Sequence, residues 1–173
     1  MALREARMAA ITVANKDWAI INAVKTALAG ATIEGSPVFR AVSVTTSADQ
    51  ARQCQFTGHP AAVIRYVTTV DDEGVDGERN CRLLLRILIA TMVDAAGVDE
   101  SLRLQEILRL KNAAINAVEA SPPGDSDSVG DNDFHAPRIH WGEAEVDASG
   151  KLPWAVAVLP VEFGYRLPAA TGH

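Results

Sequence analysis

The chain has 173 residues, 48% hydrophobic and 22% charged, with 16 Lys and Arg against 22 Asp and Glu, a formal net charge of -6. That length and composition predict one globular domain, 1–173, with a sizeable core, and argue against two full domains. Arg40, Arg65, Arg82, Arg86, Arg138 and Arg166 stand singly among apolar residues, which excludes a surface that coats nucleic acid through clustered Lys and Arg.

The first residues, MALREARMAAITVANKDW, carry charge at Arg4, Glu5 and Arg7 and then only a short apolar run over 8–14. That run is too short for a signal-peptide core, and no later stretch reaches the roughly 20 apolar residues of a membrane span. The expectation is a protein made in a reducing cytoplasm with no membrane partner, and with 1–14 a flexible segment. Cys54 and Cys81 form no disulfide framework and read as reduced, buried thiols.

A helix is predicted over 17–30. Ile20, Ile21, Val24, Ala27 and Leu28 recur at spacings of three and four, Asp17 or Asn15 is the expected cap, and Gly30 closes the helix. The β-branched run over 36–46 predicts a strand with Val38, Arg40, Val42 and Val44 on one face. A short helix follows over 47–56, then a second strand over 60–70.

Residues 71–79, DDEGVDGER, predict a solvated, mobile hairpin tip. The third strand, 80–95, has a purely apolar face of Cys81, Leu83, Leu85, Ile87 and Ile89. Its other face mixes Arg82 and Arg86 with Leu84, Leu88, Ala90 and Met92. A long amphipathic helix is predicted over 99–120, capped by Asp99, with Leu104, Ile107, Leu108, Ile115 and Val118 as its apolar stripe. Residues 121–137, SPPGDSDSVGDNDFHAP, are a long loop expected to be mobile.

Two strands, 138–150 and 151–167, finish the chain as a hairpin around 147–151. Trp141 and Trp154 sit on its two arms as a candidate packing pair. In the last strand both faces are apolar, and Pro160 stands inside it. A proline donates nothing to a ladder, so the expectation is an edge strand or a bulge. Taken together these elements predict an α+β fold: an antiparallel or mixed sheet of about five strands with two main helices packed on one face.

The chemistry-bearing patterns point to no enzyme. The acids of 125–133 miss the calcium-loop spacing, because Val129 and Ala136 occupy its fifth and twelfth places. The hairpin acids Asp71, Asp72, Glu73 and Asp76 miss it too. His135 and His140 lack a metal-ligand spacing, and no Cys-x-x-Cys, G-x-S-x-G, P-loop or dinucleotide fingerprint occurs. No catalytic residue, metal or organic cofactor is expected.

Two helices cover one sheet face, and the apolar surplus on the last and third strands calls for a partner, most simply another copy of the chain. Arg82, Arg86, Val156, Val158 and Glu162 are the candidate interface residues. The element order, the small-residue helix AIINAVKTALAG, the long strand after an acidic hairpin and the closing PWAVAVLPVEFGYRL resemble the tail-terminator or tail-completion proteins of long-tailed bacteriophages and prophages. The resemblance implies a non-enzymatic virion protein of the tail or neck, assembled in the host cytoplasm. It implies a self-assembled ring, a hexamer, that caps the tail tube and joins it to the head. It implies tail-tube and head-completion or neck proteins as partners, with DNA passing through the ring and no sequence-specific nucleic-acid contact. The alternative is a small oligomeric enzyme or ligand-binding domain with a pocket between sheet and helices near Trp141 and His140.

Overall fold

The computed structural model describes residues 13–49, 58–73, 79–92, 99–121, 137–149 and 154–167. Residues 1–12, the rest of the predicted short helix after 48–49 with Cys54, the hairpin tip 74–78 and the loop 122–136 lie outside the described residues.

Helix α1, Val13–Ala29, opens the fold. It begins upstream of the predicted start, so Asp17 is a helical residue and not a cap. The chain then makes a tight hairpin, β1 (Thr32–Ile33) against β2 (Ser36–Pro37). Its two turn residues, Glu34 and Gly35, have φ of 51° and 79°, the left-handed pair that a two-residue hairpin needs. Strand β3 is Ala41–Thr45. The single strand expected over 36–46 is therefore split. Val38 turns inward and Arg40 outward, while Val42 and Val44 pack on the core.

Among the described residues the main sheet has six strands and is mixed. Its order is β3-β4-β5-β8-β6, with β7 also paired to β8. Strand β4 is Ala61–Glu73 and β5 is Arg79–Met92. β3 runs parallel to β4, and every other pair in the sheet is antiparallel. Helix α2 is Glu100–Ala120, with Asp99 as its N-cap. β6 (Arg138–Trp141) and β7 (Glu145–Asp147) lie end to end along β8, Trp154–Leu167.

The odd residues of β5 and β8 form the inner face. Leu83, Leu85, Ile87 and Ile89 meet Leu159, Val161 and Phe163 there, and Ile20, Val24 and Leu28 of α1 join Ile107, Leu110, Ala114 and Val118 of α2 in the same core. The stripe of α2 differs from the expected one. Leu104 is 41% exposed, and the buried positions 107, 110, 114 and 118 begin one turn later. Ile107, Leu110, Ala114 and Val118 follow one another at spacings of three and four, the helical period.

Strand β8 is central, not an edge. It pairs with β5 over its whole length, Trp154 to Leu167. Pro160 is tolerated because of a break on its other side. β6 pairs with 161–164 and β7 with 156–158, and Gly142 lies between them. Gly142 donates its N–H to the Pro160 carbonyl at 2.8 Å. In a strand the N–H and C=O of one residue point the same way, so the missing donor of Pro160 faces this gap and deprives no ladder. The approach is close: a Cβ on Gly142 would stand 3.0 Å from the Pro160 Cβ, tighter than side chains ordinarily pack.

Candidate assembly surface

Cross-strand partners share a sheet face, so the register assigns the outer face directly. Its rows are Val63, Leu88 and Val158; Arg65, Arg86 and Pro160; Thr68, Leu84 and Glu162; and Val70, Arg82 and Gly164. Val156 lies beside Ala90 one row further. The five predicted interface residues are thus brought onto one continuous surface. None of Leu84, Leu88, Val156, Val158 or Pro160 belongs to the core cluster, and all five are half-buried. The contacts of α1 and α2 with the sheet are made through the inner face.

The charges on this surface divide into two groups. Arg82 is already engaged within the chain, 3.5 Å from Asp72 and 3.8 Å from Glu162. Both pairs are solvent-exposed and contribute at most about 1 kcal/mol. Arg86 and Arg65 stand directly opposite one another on β5 and β4, and among the described residues neither makes an ion pair. Among the described residues the buried Arg65 Nε has no hydrogen-bond partner. Like charges set opposite in a sheet repel, and an orphaned buried donor costs desolvation energy.

Where Gly164 lacks a side chain, Asn80, Arg82, Arg138 and Arg166 surround an open depression of approximately 390 Å³. This is the outer face again. The pocket expected between sheet and helices near Trp141 and His140 is not formed by that pair. The two residues point to opposite faces of β6, and Trp141 packs inward and donates to Glu119 of α2 at 3.0 Å. Trp141 also does not pair with Trp154, whose partner is Met92.

A cluster of hydrogen-bonded polar side chains lies inside, and the sequence reading missed it. A bulge at Val67 inserts one residue into β4, so the inward parity passes from Tyr66 to Thr69. Thr69 then donates to the Asp17 carboxylate, and Tyr165 donates to its other oxygen at 2.7 Å. Tyr66 and Thr69 share a further hydrogen bond of 3.1 Å. Cys81 sits beside this group, its thiol 3.6 Å from Asp71, which also pairs with Arg79. Burial pushes the Cys81 thiol up, more than Tyr165 and Arg79 lower it. The hydrogen bonds of this cluster fasten α1 to β4 and β8.

Tyr165 makes this fastening pH-dependent. Burial first, then the Asp17 carboxylate it donates to, hold its phenol well above the ordinary value of 10.0. The native state keeps that proton when the unfolded chain has lost it. The Tyr165 contribution is therefore complete below pH 10 and falls as pH rises beyond it, by up to about 1.4 kcal/mol per pH unit. Urea unfolding between pH 9 and 11 is expected to show the decline, flattened in Tyr165→Phe. Parallel pH profiles for the two proteins would exclude the assignment.

No family model matches the chain, and no curated protein does. Among solved structures, a chain from the virion of a native gene transfer agent (GTA) particle is similar, with 14% identity and a TM-score of 0.42. The match covers 91% of this chain and 99% of that one.

Proposed function

We propose that this chain is a non-enzymatic virion protein, a ring-forming tail terminator that caps the tail tube and joins it to the head or neck. The observation that carries the reading is the outer face of the β5–β8 ladder. Leu84, Leu88, Val156, Val158 and Pro160 stand there outside the core, next to Arg65 and Arg86, which make no ion pair among the described residues. At roughly 25 cal/mol per Å², an interface of about 800 Å² per subunit supplies the association energy after its entropic cost. The position in the neck, the hexameric ring and the tail-tube and head-completion partners come from the resemblance in element order, helix composition and closing strand.

The test is the mass of the full chain by light scattering, with negative-stain imaging. A closed ring of uniform size is expected. A monomer at every concentration overturns the reading. A dimer that binds a small anion at the Gly164 depression favours the ligand-binding alternative instead.

A further inference from the structure

Arginines that stand singly in the sequence are gathered by the fold. Arg65, Arg82, Arg86, Arg138 and Arg166 all lie on the outer face of the sheet. Three of them surround Gly164. Arg82 of β5 and Arg138 of β6 are its partners on the two neighbouring strands, and Arg166 is the next outward residue of β8, opposite Asn80. Strand geometry sets the two partners about 5 Å away on either side and Arg166 about 7 Å along the strand. Nothing in the fold calls for a glycine at 164. The β5–β8 register runs through it without a bulge, its φ is not positive, and a Cβ there would come no nearer than 4.0 Å to Arg138. A glycine inside a strand weakens it, and often marks a place where a ligand approaches closely. What Gly164 leaves is the open depression lined by Asn80 and the three arginines.

We propose that the Gly164 depression binds the phosphate group of a ligand. This goes beyond the ring reading and does not depend on it, since Val158 lies six residues, or about 20 Å, away along β8. A guanidinium presents a rigid fork of N–H donors. A carboxylate, with two oxygens, suits one such fork. A phosphate, with three or four oxygens, accepts from several at once, and the Asn80 amide adds a further donor. The acids on this part of the face do not use up those donors. Asp72 and Glu162 both lie against Arg82, at 3.5 and 3.8 Å, which is longer than the roughly 2.7–2.9 Å of a charge-assisted hydrogen bond. Arg138 enters no ion pair among the described residues. Three cations against two acids leave this end of the face positive in a chain of net charge -6. The depression is open, so it admits a phosphate that is free or one carried on a nucleotide or a nucleic-acid strand.

Thermal unfolding of the full chain tests it, in inorganic phosphate against sodium chloride and sodium acetate at equal ionic strength. The Tm is expected to rise with phosphate and not with the other two. Gly164→Leu fills the depression and Arg138→Gln removes one fork, and each should need at least about tenfold more phosphate for the same rise. Gly164→Ala adds a methyl in ordinary contact with Arg138 and should keep the response, which separates loss of space from loss of glycine. Arg138→Gln covers any folding defect in Gly164→Leu. A phosphate response equal in wild type and both variants overturns the site, and acetate as effective as phosphate overturns the phosphate assignment. Adenosine monophosphate and a labelled single-stranded oligonucleotide distinguish the sources. Tighter binding of either, lost in the same two variants, identifies the carrier, and no gain over inorganic phosphate identifies the free ion. Assembly mass is read separately, so a monomer that binds phosphate keeps this inference and overturns the ring.

Discussion

Asp17→Ala is expected to lower the unfolding free energy by roughly 2–6 kcal/mol, a large share of a domain's total. The estimate follows from what the substitution strands. Tyr165 is 5% exposed, and it and Thr69 both donate to Asp17. Removing the acceptor takes from each hydroxyl its hydrogen bond to the carboxylate, at roughly 1–3 kcal/mol each. Asp17→Asn keeps the shape and one acceptor oxygen. A hydroxyl both donates and accepts, so Thr69 is able to turn its lone pair toward the new amide. The asparagine variant should therefore cost much less than alanine. Urea unfolding of the three proteins checks the order, and an alanine variant as stable as wild type would remove the network from the account of how α1 is held.

This network also shows where the sequence ran out. The inner face of β5 was legible because strict alternation leaves no other phase in which five consecutive inward residues are apolar. The first helix was legible for the same reason at a period of 3.6. The Val67 bulge was not, because both phases of VIRYVTTV place polar residues inward and no apolar signal reports the change of parity. Asp17 was read as a cap, since a carboxylate near a helix start is ordinarily one, and its true partners lie 52 and 148 residues away in sequence.

The place of β8 was misread for a related reason. Pro160 argues for an edge only if the neighbouring strand is continuous. Here it is interrupted at Gly142, and no local pattern in either segment announces that the two halves meet at that proline. That Arg82, Arg86, Val156, Val158 and Glu162 share one sheet face followed from strand parity alone. Their inequality did not: only the register shows Arg82 satisfied by Asp72 and Glu162 while Arg86 faces Arg65.

Val158→Asp and Leu159→Asp, adjacent on one strand, are expected to fail in different ways. Leu159 is 2% exposed and lies in the core beside Ile87. A carboxylate there is buried without a partner, so the chain should not fold. Val158 lies on the outer face between Leu88 and Glu145. Its aspartate meets water in the isolated subunit, and the directly opposite Glu145 adds a repulsion of about 0.2–1 kcal/mol. The fold should survive that. In the assembly the same carboxylate would be desolvated at an apolar contact, which is expected to weaken association by more than about 2 kcal/mol, or thirtyfold. Circular dichroism and light scattering separate the cases. Leu159→Asp should lose its spectrum, while Val158→Asp should keep it and run as a single subunit. Equal unfolding by both would place Val158 inside the monomer core, and a Val158→Asp protein that assembles like wild type would remove the outer face from the ring.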